Sequence, residues 1–295
     1  MWDEYREQIS NGDTKAISRC ISLIENRVQG YEQLLQSLVT RNIPVIGVTG
    51  PPGAGKSTLV DSLIKEAVAD KKKVAVLCVD PSSAFTFGSL LGDRIRMNEW
   101  YKEPAVYIRS LSTRGSLGGL NPMIIEITDL LRSSVFDLVI IETVGIGQSE
   151  IEIAGIADIT IVVLVPEAGD DIQAMKAGLM EIADIFVVNK SDRPGADLFI
   201  KNLKNNLDPH VNIPVLKTIA SQHEGVDKLY TQLTEELKTN RQSNKKQFLL
   251  ANKAYQLIKQ ERMKDIDPEA LKEAIEVAFK EEGFNLYRFV QSKFL

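Results

Sequence analysis

The sequence predicts an α/β domain built on a mostly parallel, doubly wound sheet, with helical extensions at both ends. Three observations predict it. Six short runs are nearly continuous in apolar character: 45–50, 74–80, 136–143, 159–166, 185–190 and 211–218. Such runs suit strands covered on both faces. Helix-length stretches separate them, and a glycine-rich turn stands between the first run and the first of those helices.

The elements follow in order. Asp13 is placed to cap a helix carrying Ala16, Ile17, Cys20, Ile21, Ile24 and Val28 on one face. Gly30 interrupts it, and Leu34, Leu35 and Leu38 continue the amphipathic pattern towards Pro44. Residues 1–42 therefore form a helical preface, whose pattern leaves open whether it packs on the main domain or on a partner. The α/β domain spans 43–238, with a first helix over Thr58–Ala69. The Lys71–Lys73 triplet suits the carbonyl-rich end of that helix.

Beyond Gln242 the strand signals stop. Phe248, Ala251, Tyr255 and Ile258 recur at helical spacing, and Asp267-Pro268 opens a second helix through Leu271, Ile275, Ala278 and Phe279. Gly283 is placed to end it, and an apolar tail follows. Residues 239–295 form a helical arm, read as a core or dimer contact.

The net charge of −5, from 35 basic and 40 acidic residues, offers no general electrostatic grip on nucleic acid. No apolar run approaches the roughly 20 residues that cross a bilayer. The polar, acidic start MWDEYREQ resembles neither a secretory signal nor a transit peptide. Cys20 and Cys78 lie far apart in apolar surroundings and read as buried thiols. A reducing, cytoplasmic location is expected.

The chemistry concentrates at Gly50, Pro51, Pro52, Gly53, Ala54, Gly55, Lys56, Ser57 and Thr58. This is G-x-x-x-x-G-K-[ST] directly after a strand and before a helix, the setting of a P-loop. Glycines let several N–H groups face one anion, and the helix N-terminus favours negative charge. Lys56 can reach the β- and γ-phosphates, and the Ser57 hydroxyl can ligate Mg²⁺. Asp80 and Glu142 end strands where carboxyl ends gather over a ligand, and Asp93 is a third candidate near the metal.

Asn189-Lys190-Ser191-Asp192 follows a strand. A carboxylate at Asp192 can accept from guanine N1–H and its exocyclic amine, a pattern adenine lacks. Asn189 can brace the loop, and the Lys190 stem can cover the ring. In the loop 218–225, Ile219, Ala220 and Ser221 place a backbone N–H near the guanine O6.

The combined set PPGAGKST, VDPSS, GDRIRM, RGSLGGL, ETVGIGQSE, AGDDIQAMKAG and NKSD closely resembles the MeaB/ArgK-like GTPases, over nearly the whole chain. The resemblance implies GTP and GDP as nucleotides, Mg²⁺ as cofactor, and Asp80, Asp93 and Glu142 around the metal. It implies hydrolysis by Lys56 and Glu142, assisted by Lys176 once a partner has docked. Arg94, Gln148, Asp170, Asp171 and Lys176 would lie in switch regions, which Gly115, Gly118, Gly119, Gly145 and Gly147 punctuate.

The family escorts an adenosylcobalamin-dependent acyl-CoA mutase, typically methylmalonyl-CoA mutase. It gates cofactor delivery from an adenosyltransferase, protects the mutase, and dimerises through the C-terminal arm. Ile219 departs from the pattern, since many GTPases place Ser there. No general base stands near the P-loop, so slow intrinsic turnover is expected. The alternatives are a P-loop kinase of a small acceptor and a nickel-enzyme maturation GTPase.

Overall fold

The computed structural model describes residues 2–80, 98–114, 120–145, 149–168, 179–207, 212–238, 244–263, 265–280 and 283–294. The chain divides into two units, Met1–Lys246 and Gln247–Leu295.

The first unit opens with three helices, α1 (Trp2–Ser10), α2 (Thr14–Glu25) and α3 (Tyr31–Ser37). Asp13 caps α2 as its sequence position predicts, accepting from the amides of Lys15 and Ala16 at 2.8 and 3.1 Å. Gly30 lies at φ 91° and starts α3, a turn that a side chain would strain. The apolar face of α2 is buried along Ala16, Ile17, Cys20, Ile21 and Ile24.

A single sheet of seven strands, counted among the described residues, forms the centre. Its strands are β1 (Val45–Thr49), β2 (Val74–Asp80), β3 (Val106–Ser112), β4 (Leu138–Glu142), β5 (Ile159–Leu164), β6 (Ile185–Val188) and β7 (Val215–Lys217). The order is β3-β2-β4-β1-β5-β6-β7, and every pair is parallel. β1 sits between β4 and β5, with Gly47 opposite Ile141 on one side and Thr160 on the other.

β3 is the strand the sequence reading missed. Among the described strands it pairs with β2 alone, it is only partly buried, and its stretch VYIRSLS carries Arg109 and two serines. A half-covered edge strand lacks the continuous apolar run that marks its neighbours.

Alternate residues divide between two cores. Val74, Val76 and Cys78 of β2 face α4 (Lys56–Ala69) and α9 (Val226–Lys238). Ala75, Leu77 and Val79 of the same strand face a cluster containing Ile9, Ile17, Ile21 and Leu34, together with α5 (Ile124–Arg132). The helical preface thus covers one face of the sheet, which settles what its pattern left open. Ser134 Oγ adds a bond to the Ile9 carbonyl at 2.8 Å. A third cluster lies around Phe186, between β5, β6, α7 (Leu179–Ile182) and α8 (Ala196–Asn206). α6 (Ser149–Ile156) contributes Ile153 to the preface side. Cys20 and Cys78 are buried thiols and form no disulfide.

The helix expected from Thr58 begins at Lys56, directly after Gly55 at φ 88°. Helices α10 (Asn244–Arg262), α11 (Pro268–Ala278) and α12 (Leu286–Phe294) complete the chain. Asp267 caps α11 through the Glu269 amide at 3.0 Å, with Pro268 at its first turn. α11 ends at Ala278, before Gly283, and the expected apolar tail is the helix α12. Within the second unit, Phe279, Phe284, Phe289 and Phe294 form a row of rings with centroids 5.6–6.1 Å apart.

Candidate phosphate and guanine site

The site lies at the carboxyl ends of β1, β2, β4 and β6, where a parallel sheet presents its loops. β1 releases the chain at Thr49, Gly50–Gly55 curl, and α4 begins with Lys56. Lys56 is buried, and its ammonium donates to the carbonyls of Gly50 at 2.8 Å and Pro51 at 3.1 Å. These bonds hold the lysine folded across the mouth of the loop, the place an anionic phosphate would occupy.

Ser57 Oγ donates to Glu142 Oε1 at 2.7 Å. Glu142 and Asp80 are both buried at the ends of their strands. Thr143 Oγ1 reaches Thr49 Oγ1 at 2.9 Å, which ties the ends of β4 and β1 together beneath the loop. Gly145 sits at φ 81°, and a Cβ there would collide with the Gly50 carbonyl and the Lys56 ammonium. Only glycine lets the chain leaving β4 pass this close to the P-loop.

A hydroxyl and two carboxylates are hard oxygen donors, which fits Mg²⁺. Among the described residues no three His, Cys, Asp or Glu side chains gather as a metal cage. Mg²⁺ does not require one, because it takes one or two protein oxygens together with phosphates and water.

Asn189 is the hub of the base side. Its Nδ2 donates to the Ala54 carbonyl at 2.9 Å, and its Oδ1 accepts from Thr218 Oγ1 at 3.1 Å and the Ala220 amide at 3.0 Å. One buried amide thereby fastens the P-loop to the loop after β7. The Ala220 N–H, which the sequence reading aimed at the guanine O6, donates to Asn189 Oδ1 in this structure. Ser62 Oγ of α4 holds the Ala220 carbonyl at 2.9 Å. Lys190, at φ 54°, extends over the P-loop to the Gly53 carbonyl at 2.7 Å. Asp192 and Ser221 are exposed and Ile219 is half-buried.

The structure thus brings together Gly50 to Thr58, Asp80, Glu142, Asn189 and Lys190 around one mouth. Asp93, Arg94, Gln148, Asp170, Asp171 and Lys176 lie outside the described residues, as do Gly115, Gly118, Gly119 and Gly147. Sequence reasoning overlooked Thr49, Thr143, Thr218 and Ser62. The first three are polar residues at or just beyond strand ends, and that position was the available signal.

A family profile described as methylmalonyl-CoA mutase-associated GTPase MeaB matches residues 17–274. The chain belongs to this family. It is accordingly a P-loop protein that binds and hydrolyses GTP. A presumptive GTPase of Pyrococcus horikoshii is 44% identical over 253 residues, 82% of this chain and 80% of that protein. The fused isobutyryl-CoA mutase of Geobacillus kaustophilus is 36% identical over 265 residues, 82% of this chain and 24% of that protein. The crystal structure of a LAO/AO transport system kinase superposes with a TM-score of 0.68 at 24% identity, covering 99% of this chain and 95% of the other. That likeness bears on the fold. Among the described residues no helix is long and apolar enough to cross a membrane.

Proposed function

We propose that this MeaB-family chain uses GTP hydrolysis to gate cofactor loading and to protect an adenosylcobalamin-dependent acyl-CoA mutase in the cytoplasm. Methylmalonyl-CoA mutase is the client favoured by the family description. The identity shared with part of a fused isobutyryl-CoA mutase supports a working relation with that enzyme class. An adenosyltransferase supplying the cofactor is the second partner in this reading.

The observation that carries the nucleotide part is the joint arrangement of Lys56, Ser57, Glu142 and Asn189 around one loop. Lys56 exchanges its two carbonyl partners for the β- and γ-phosphate oxygens. A hydroxyl has one proton and two lone pairs, so Ser57 can donate to Glu142 while presenting a lone pair to a cation. Ser57, Asp80, Glu142 and, from its sequence position, Asp93 would hold Mg²⁺. When bound, Mg²⁺ neutralises charge that develops on the phosphate oxygens.

Glu142 and Lys56 position water and phosphate, and Lys176 completes the site when the mutase docks. Asp192 reads guanine N1–H and N2, while Asn189 keeps the P-loop and the base loop in register. A charge-based hydrolysis with an incomplete site is slow until a partner supplies the missing group.

The arm 239–295 serves as the dimer contact in this reading. Its support is exposed apolar surface: Val277, Phe279 and Tyr287 are 65%, 71% and 84% exposed. Patches of that kind mark protein interfaces. The preface, 1–42, belongs physically with the GTPase domain, 43–238.

Co-purification with a non-hydrolysed GTP analogue tests the client. Recovery of an acyl-CoA mutase is expected, while its absence with both GTP-analogue and GDP forms would refute the assignment.

A further inference from the structure

Glu25 is the last residue of α2, and its side chain is 9% exposed. A carboxylate at that depth needs partners. It receives them from residues 84 to 96 positions away. Arg109 of β3 reaches Oε2 at 3.2 Å and Ser22 Oγ at 2.9 Å. Asn121 Nδ2 reaches Oε1 at 3.2 Å and the Ser112 carbonyl at 2.8 Å. Arg114 donates to the Glu25 carbonyl at 2.8 Å and to Asn26 Oδ1 at 3.0 Å, with Glu25 Oε1 4.0 Å away.

Both flanks of the glycine-rich stretch 115–119 are therefore fastened to the end of α2. Arg114 adopts φ 47°, uncommon for a non-glycine residue, and Arg27, φ 48°, closes α2 with the Val28 amide on the Leu23 carbonyl at 3.0 Å. The same flank reaches the nucleotide side. Ser112 pairs in register with Asp80, and the Thr113 amide donates to the Asp80 carbonyl at 3.1 Å. The Arg114 amide in turn bonds Ser112 Oγ at 3.1 Å.

We infer that Glu25 is a positioning residue for GTP hydrolysis: through Arg109, Arg114 and Asn121 it fixes the end of β3, and through it Asp80. The helical preface is then mechanically part of the magnesium side of the site. This rests on the reading of Asp80 as a magnesium-shell carboxylate.

The test is the Mg²⁺ dependence of fluorescent GTP-analogue binding to the full chain, which needs no turnover. Wild type, Glu25→Gln and Asp80→Asn are compared, each with its thermal unfolding curve. Glu25→Gln keeps an acceptor for Asn121 but removes the charge. Its Mg²⁺ midpoint should rise about threefold to tenfold, a coupling typical of groups in one charged network. Nucleotide affinity without Mg²⁺ should be unchanged. A purely structural role would lower thermal stability and leave the midpoint in place.

Arg114→Gln gives the same direction of shift and serves if Glu25→Gln does not fold. If Asp80→Asn moves the midpoint and neither of the other two does, the inference fails alone. If Asp80→Asn leaves the midpoint at the wild-type value, the magnesium reading fails and takes the inference with it.

Discussion

The Ser57 hydroxyl donates to the Glu142 carboxylate across 2.7 Å, linking the first turn of α4 to the end of β4. The bond joins a residue of the P-loop motif to one 85 positions later. It fixes the direction of the serine lone pairs, which is the side on which the proposed Mg²⁺ would sit.

Ser57→Ala removes both the donor and the lone pairs. Mg²⁺-dependent affinity for GTP is expected to fall about tenfold to a hundredfold, the loss of a charge-assisted contact. Calorimetry with and without Mg²⁺ checks this, and the two titrations should nearly coincide for the variant.

Asp192→Asn replaces an acceptor-only group by an amide that also donates. Discrimination for GTP should drop about tenfold to a hundredfold, the range for hydrogen bonds to a charged group. Use of xanthosine triphosphate should rise, because its 2-oxo group accepts what the new amide donates. Competition binding with both nucleotides measures it.

Ile21→Ala tests the preface as part of the core. Ile21 is fully buried among Ile9, Ile17 and Leu34 in the cluster shared with the sheet. Truncation should cost about 2–5 kcal/mol. Chemical denaturation reads it, and loss of one cooperative transition for the GTPase unit is expected rather than fraying of the first helices alone.

Burial pushes the Cys20 thiol up from 9.0 to about 11. The protonated form is favoured in the folded state, so this stability is intact below the unfolded pKa. It is lost as pH rises from 9 towards 11, where the unfolded chain ionises first. Cys20→Val should flatten the alkaline decline by on the order of 2 kcal/mol, since one pKa unit corresponds to about 1.4 kcal/mol. Denaturation midpoints at pH 8 and pH 11 give the comparison.

Much of this was legible in the chain itself. Five of the six recognised strands, β1, β2, β4, β5 and β6, are buried along their whole length, and continuous burial leaves an unbroken apolar run; β7, at the other edge, is only partly buried. β3 was not legible, because its edge position allows Arg109 to point at Glu25 rather than into the core. The P-loop could be read because glycines and Lys56 occur at fixed local spacing. The Asn189 network could only be seen in part. Its Thr218 and Ala220 partners are 29 and 31 positions away, and a local motif carries no record of which N–H a side chain will take. The destination of the preface was equally hidden, since an amphipathic face states that it will be covered and not by what.

The claim that hydrolysis is gated by an acyl-CoA mutase is tested most directly by steady-state GTPase rates of the purified chain, alone and with methylmalonyl-CoA mutase added. The account predicts slow turnover alone and an increase of about tenfold or more on addition, as when a docked partner completes a charge-stabilising site. A rate that is already fast in isolation and indifferent to the mutase would contradict it.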